Sequence, residues 1–190
     1  MVNISENYRQ IMLPFETALK NNRLIIPESP DPNAKAPRRW LIRGESSSDR
    51  LLIPDQQVFK PQSGQMGSYG VFLGDCLAPL MYHSPGAYYL FDKDKLDIDW
   101  LRVPSSDYNK EIERIGKDHN LRLEELNGGL NAETMLFKRF ATYQPNKGVA
   151  TIPYPLSLEE AVAIFLTDGF IDQKSINSLP DNLKRKIKTF

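Results

Sequence analysis

The chain has 190 residues, a length typical of a single domain. Its 24 basic and 24 acidic residues cancel, so no net field attracts nucleic acid or an anionic membrane, and we expect neither as a partner. The single cysteine excludes an internal disulfide, and with two histidines it makes a four-ligand zinc site hard to assemble, so no metal centre is expected.

Targeting signals are also missing from the sequence pattern. The first residues lack the charged and apolar regions of a signal peptide, and no apolar run approaches the roughly 18 residues that span a membrane. We therefore expect a soluble protein that works in the cytoplasm or reaches a target cell by a signal-independent route.

The N-terminal part of the chain predicts a helix followed by strands. Apolar residues recur at helical spacing over 5–22, with Pro14 as the expected kink. Strand-like runs then occur at 39–43, 70–74, 87–91 and 98–103, and Gly44 is expected to end the first of them. A helix is predicted at 106–117.

The C-terminal part predicts helices. Ser157 and Glu160 form a capping-box pattern ahead of the apolar run 161–166, and Gly169 is a typical helix terminator. A last helix is expected from Asp181 into the basic run that ends at Lys188. These patterns divide the chain into an α+β core at 1–150, which includes the N-terminal helix, and a helical appendage at 151–190.

The fold class follows from this element pattern. Strands without long helices between all of them favour an α+β fold, in which a mixed, largely antiparallel sheet carries helices at both chain ends.

Cys76 is the one nucleophile of note. A thiolate nucleophile needs a histidine that lowers the thiol pKa, and the sequence offers His83 and His119 for that role. Free cysteines are more often buried and inert, and Leu77, Ala78 and Leu80 follow Cys76. We therefore predict a buried thiol, and a Cys76 hydrolase remains as an alternative.

The segment 40–91 carries the clearest functional pattern. It contains Trp40-Leu41-Ile42-Arg43-Gly44, then Gly70-Val71-Phe72-Leu73-Gly74-Asp75, then Ala78, Tyr82 and the strand-like run 87–91. This order resembles the N-terminal half of small ADP-ribosyltransferase-like domains, in which a strand ends in an Arg-Gly or His-Gly pair that meets NAD. A Gly-x-Phe strand and a short helix follow in that family. The Ser-Thr-Ser-like motif of the arginine class is replaced here by Phe72-Leu73-Gly74-Asp75.

The resemblance implies a set of NAD-contacting residues. Arg43 and Gly44 would hold NAD, because arginine binds phosphate or ribose oxygens and glycine lets the backbone approach the nicotinamide amide. Tyr69 or Phe72 would lie beside the nicotinamide ring. Glu133 would be the catalytic carboxylate.

Two other glutamates have a family-like spacing. Glu111 and Glu113 are separated by one residue, as in arginine-modifying members, but they fall within the predicted helix and we interpret them as surface charges.

The sequence thus favours an ADP-ribosyltransferase-like toxin or effector that uses NAD to modify an unknown protein or small-molecule acceptor. A non-catalytic protein-binding module that works through its surface and its C-terminal helices is the main alternative.

Overall fold

A computed structural model of the chain describes residues 6–63, 69–82, 86–103, 114–115, 117–118 and 138–190. Within these residues the longest helix is α1, Glu6–Asn21, and Pro14 lies inside it. Three short helices are α2 (Asp49–Leu52), α3 (Gln173–Ser178) and α4 (Asp181–Lys184). The helix predicted at 106–117 lies almost entirely outside the described residues.

The described strands are, in chain order, β1 Trp40–Glu45, β2 Val58–Phe59, β3 Gln62–Ser63, β4 Tyr69–Gly74, β5 Ala87–Asp92, β6 Trp100–Arg102, β7 Ala141–Gln144, β8 Val149–Ile152, β9 Leu156–Ser157, β10 Ala161–Leu166 and β11 Ile187–Thr189. Eight of them form the sheet order β11-β10-β5-β1-β4-β8-β7-β6, to which β3 adds by pairing with β4. Strands β2 and β9 pair separately. The pairings β10–β11 and β6–β7 are parallel and the rest are antiparallel. The predicted α+β class with a mixed, largely antiparallel sheet is confirmed.

Strand β5 lies near the middle of this sheet because nearly all of its residues are apolar. Every residue from Ala87 to Asp92 is buried, and β5 pairs with β1 on one side and β10 on the other. Alternate side chains point to opposite faces. Tyr89 and Phe91 belong to one buried cluster, whereas Tyr88 and Leu90 pack in a second cluster with α1.

Helix α1 covers the second cluster with aromatic contacts. The ring of Phe15 stacks on Tyr88, with 3.9 Å between centroids, and meets Phe165 of β10 edge-on at 5.6 Å. The apolar face of α1 is therefore buried against β5 and β10, as the helical spacing predicts.

The run 161–166 is a strand, and the helix predicted there is wrong. The capping box is present, but it closes a single 3-10 turn at Leu158–Glu160, after which the chain enters β10. Five of the six residues of β10 are buried. A helix would bury one stripe of such a run, whereas an inner strand buries both faces, and Val162, Ile164 and Phe165 are good strand formers.

The C-terminal segment 151–190 is therefore not a helical appendage. Helix α4 ends at Lys184, and the expected continuation to Lys188 is replaced by β11. Strand β8 crosses the predicted boundary at residue 150, and β10 and β11 lie in the same sheet as β1 and β4. Pairing of β10 with the apolar β5 accounts for this, because it completes the burial of both strands.

Candidate functional site at the opening between β1 and β4

Two neighbouring strands of the sheet separate where the sequence predicts NAD contacts. Strand β1 pairs with β5 along its whole length, from Trp40↔Asp92 to Glu45↔Ala87, but it pairs with β4 at Ile42↔Gly74 alone. Strand β4 pairs instead with β8 over four positions. Beyond Ile42 the two strands diverge, so an opening lies between Arg43–Glu45 and the start of β4.

The side chain of Arg43 spans this opening. Its Nη1 donates to the carbonyl oxygen of Phe72 at 3.3 Å, while Nε and Nη2 donate to Oε1 of Glu45 at 3.3 and 3.2 Å. The backbones of β1 and β4 no longer hydrogen-bond to each other here, and the guanidinium group of Arg43 links the two strands instead. A guanidinium carries five N–H hydrogens, so these three bonds leave two donors unused among the described residues.

A second arginine lies beside the first. The guanidinium carbon of Arg50 is 4.8 Å from the ring centroid of Phe59, and that of Arg43 is 5.8 Å from the same ring. Nη1 of Arg50 donates to the carbonyl oxygens of Gln56 and Val58 at 2.8 Å. Arg50 therefore fixes the chain between α2 and β2.

One carboxylate serves both arginines. Oε1 of Glu45 lies 3.8 Å from Nη2 of Arg50 as well as within hydrogen-bond distance of Arg43. Two guanidinium groups and one carboxylate leave a local excess of positive charge. Lys60 adds to it by lining, with both arginines, a narrow cleft of about 20 Å³, which is room for about one water molecule.

Two buried polar groups near these charges lack hydrogen-bond partners within the described part of the chain. They are Nε of Arg50 and the hydroxyl of Tyr89. Burial, and then the charge of Glu45, raise the pKa of Tyr89 above its ordinary value. Its hydroxyl stays protonated and is available as a donor. Unpaired buried donors are costly and often mark functional positions.

A larger cleft of about 170 Å³ lies at the same opening. Its lining combines apolar side chains with glycine backbone: Ile42, Gly44, Phe72, Gly74, Pro79 and Leu80. At Gly74 an added Cβ would lie 3.0 Å from the carbonyl oxygen of Cys76 and 3.4 Å from Pro79. Glycine at this position therefore keeps the wall of the cleft open.

Arg43 and Phe72 reach the opening from opposite faces of the sheet. Arg43 pairs with Tyr89, so its side chain shares a face with Leu41 and the first buried cluster. Phe72 lies between Val71 and Leu73, which both belong to that cluster, so its ring points to the opposite face. The structure thus brings Arg43, Gly44 and Phe72 to one opening without grouping their side chains.

The other predicted residues lie elsewhere. Tyr69 begins β4, and its ring centroid is 5.3 Å from Nζ of Lys138, but Tyr69 does not line either cleft. Glu133, Glu111 and Glu113 lie outside the described residues.

Sequence reasoning missed Glu45 and Arg50. The strand was expected to end at Gly44, whereas β1 continues through Glu45. The usable signal was the alternation of Leu41, Arg43 and Glu45, which places all three on one face of a strand. No sequence signal places Arg50 beside Arg43.

Cys76 belongs to a buried polar cluster, and it lines neither cleft. Its side chain is fully buried, as predicted, and burial followed by the charge of Asp75 raises the thiol pKa to about 12. The hydroxyl of Tyr143 donates to Oδ2 of Asp75 at 2.6 Å. A thiolate nucleophile requires a lowered pKa, so this environment is the reverse of an activating one. Both histidines lie outside the described residues.

Within the described residues, no group of three or more histidine, cysteine, aspartate or glutamate side chains is arranged to hold a metal ion. In the same part of the chain no helix has the length and apolar character needed to cross a membrane. Comparisons with protein-family models, curated proteins and solved structures find no match to this chain.

Proposed function

We propose that the opening between β1 and β4 binds NAD and that the protein is an ADP-ribosyltransferase-like enzyme. The observation that carries this proposal is the divergence of the two strands directly after Ile42↔Gly74, which creates a cleft lined by Arg43, Gly44 and Phe72. These residues are three of the four that the sequence resemblance assigns to NAD.

Each residue has a role that its chemistry supports. The 170 Å³ cleft accepts the nicotinamide ring, with Phe72 as the stacking surface and the backbone at Gly44 close to the carboxamide. The side chains of Arg43 and Phe72 lie on opposite faces of the sheet, so NAD extends through the opening between the strands. On the Arg43 side, the two unused donors of Arg43 bind ribose or phosphate oxygens, and the charges of Arg50 and Lys60 favour the diphosphate.

The reaction breaks the glycosidic bond between ribose and nicotinamide. Nicotinamide leaves with the bonding electron pair, and an acceptor nucleophile forms the new bond to the ribose carbon and gives up its proton. We assign Glu133, from the sequence resemblance, to the stabilisation of positive charge on the ribose as nicotinamide leaves.

The test measures NAD binding by thermal shift and nicotinamide release by chromatography, with candidate acceptors added. NAD should raise the melting temperature of wild type, because a ligand of the folded state stabilises it. Arg43→Ala should weaken this shift. Glu133→Gln should keep the shift but slow nicotinamide release by roughly 100-fold or more.

Matched controls separate catalysis from folding. Glu111→Gln and Glu113→Gln carry the same chemical change at positions that we interpret as surface charges, and both should behave as wild type. Since Arg43 also holds Glu45 and the backbone at Phe72, its variant is compared at equal folded fraction. Wild type that neither binds NAD at millimolar concentration nor cleaves it would overturn the proposal.

The non-catalytic alternative has a structural observation of its own, the open edge of β11. The Cys76 hydrolase has none, because the thiol is buried and its pKa is raised to about 12.

A further inference from the structure

Among the described residues the sheet ends at β11, an edge strand whose outer backbone groups have no partner there. The inner side of β11 bonds through the carbonyl of Lys186, which accepts from Ile164 of β10. The N–H of Phe190 donates to Leu166 of β10, and its carbonyl accepts from Asp168, just after β10. Because successive residues of a strand point their N–H and C=O groups to opposite sides, Ile187 and Thr189 direct theirs away from β10. No described residue bonds to these groups.

Helix α1 overhangs this edge. A groove of about 770 Å³ separates the helix from β11, and its helix wall is formed by Leu13, Pro14, Thr17, Ala18, Asn21 and Asn22. Leu13 is 59% exposed and faces this groove. One more strand hydrogen-bonded to β11 would border the same groove.

The positive charge of the residues around β11 favours an acidic binding partner. Residues 181–190 contain four basic side chains and one acidic one. Lys184 pairs with Asp181 at 3.2 Å and Nζ of Lys186 donates to the carbonyl of Glu159 at 2.6 Å, but Lys188 has no ion-pair partner in the described part of the chain. Lys188 is exposed and lines the groove.

A second copy of this chain fits the edge poorly. Antiparallel pairing of two β11 strands about a two-fold axis at their centre places Lys188 directly opposite its own copy. Like charges facing each other across strands are destabilising. Lysine on an edge strand is a recognised device against such self-pairing.

We propose that the edge of β11 binds an extended peptide segment of a partner protein by strand addition, and that this segment alternates apolar and acidic residues. The backbone groups of Ile187 and Thr189 supply the hydrogen bonds. Lys188 is in register with Phe165 and so shares the face of the sheet that α1 covers, whereas Ile187 is in register with Ile164 on the other face. The acidic side chains of the segment lie on the α1 face, where one pairs with Lys188, and its apolar side chains lie on the other face beside Ile187. This site is independent of NAD binding at the opposite side of β5.

The probe is an end-capped eight-residue peptide of alternating valine and glutamate, compared with its valine and lysine counterpart. The acidic peptide should bind the full chain, and the basic peptide should not. NMR should show slower hydrogen exchange at the amides of Ile187 and Thr189 on binding, together with shift changes in 13–22.

Two variants test the geometry. Thr189→Pro removes an N–H that faces away from β10, so it should keep the unfolding midpoint while weakening the acidic peptide about fivefold or more. Lys188→Glu should reverse the preference toward the basic peptide. Lys147→Glu is the matched control, because it makes the same charge change at an exposed turn between β7 and β8, and it should bind as wild type.

Three results would overturn the proposal. The first is that the acidic peptide does not bind at millimolar concentration. The second is that the acidic and basic peptides bind equally well. The third is that a folded Thr189→Pro variant binds the acidic peptide as tightly as wild type does. Self-association that protects the Ile187 and Thr189 amides without peptide would instead assign the edge to a second copy.

Discussion

At the residue scale, Gly148 shows how a missing side chain permits a buried polar cluster. Its φ is +62°, and an added Cβ would collide with Sγ of Cys76 and lie 2.8 Å from Oδ1 of Asp75. The carbonyl of Gly148 also accepts from the backbone N–H of Asp75 at 2.9 Å. Glycine is therefore required twice at this position, for its backbone conformation and for its packing.

Gly148→Ala should destabilise the fold through both effects. A left-handed conformation costs a residue with a Cβ about 1–2 kcal/mol, and overpacking adds about 1–3 kcal/mol. Urea unfolding measures the sum. Gly169→Ala is the matched control, because Gly169 has φ +73° and nothing within 4 Å of an added Cβ. If the two variants lose equal free energy of unfolding, the side chains around Gly148 can move to accept a Cβ at no energetic cost.

At the element scale, the capping box that precedes β10 organises the entry into a strand. Oγ of Ser157 accepts from the backbone N–H of Glu159 at 3.1 Å, and Oε2 of Glu160 accepts from the backbone N–H of Ser157 at 2.7 Å. These two bonds hold one turn, and Ala161 then begins β10.

Ser157→Ala should lower the free energy of unfolding by about 1 kcal/mol, because it leaves a backbone donor of the turn without its acceptor. Denaturant unfolding measures this loss, provided that the dependence of the unfolding free energy on denaturant concentration is the same for both proteins. Ser178→Ala removes an exposed serine bond to the carbonyl of Ser175 and should change stability by less. A midpoint equal to that of wild type for Ser157→Ala would show that the cap contributes nothing.

The same element shows how far sequence reasoning reaches. The strands predicted at 39–43, 70–74 and 87–91 were predictable because apolar runs and glycines mark them locally. The capping box was also predicted correctly, but it specifies only one turn. Whether the run 161–166 continues as helix or strand depends on its pairing with β5, some 70 residues earlier in the chain.

The candidate site was predictable to a similar extent. Arg43, Gly44 and Phe72 were assigned from a local pattern, and they do reach one opening. The opening itself exists because β4 pairs with β8 rather than following β1, and that pairing joins positions about 80 residues apart. The register of these pairings also decides which face of the sheet each side chain occupies, and it places Arg43 and Phe72 on opposite faces.

At the scale of the whole molecule, the two buried clusters contain groups that resist losing a proton. Burial raises the pKa of Tyr88 to about 12 and shifts Tyr89 in the same direction. Burial also raises the pKa of Tyr143, with a further contribution from Asp75, and the Cys76 thiol is raised to about 12. All four lie in or beside the core of one sheet.

Stability should therefore fall at alkaline pH. In the unfolded chain cysteine and tyrosine titrate near pH 8.5 and 10, whereas the folded protein keeps these protons to higher pH. The unfolded state then binds fewer protons, so the free energy of unfolding decreases from about pH 9 upward. Urea midpoints between pH 7 and 10.5 measure this decrease.

Tyr88→Phe provides the control for that pH dependence. Within the described residues the Tyr88 hydroxyl has one weak contact, to Sδ of Met12 at 3.6 Å. Its removal should change stability little at pH 7 but make the variant more stable than wild type above pH 10. A parallel decline in both proteins would contradict the assignment of the effect to the buried hydroxyl.

The central position of β5 also has a consequence for synthesis on the ribosome. Its partner β1 precedes it, but β10 follows roughly 70 residues later, which takes about 4 to 15 seconds at ordinary translation rates. Throughout that interval the edge of β5 that later pairs with β10 has no partner strand. An apolar strand with an unpaired edge is a surface on which chains aggregate. Protection by a chaperone during those seconds would leave no trace in the finished fold.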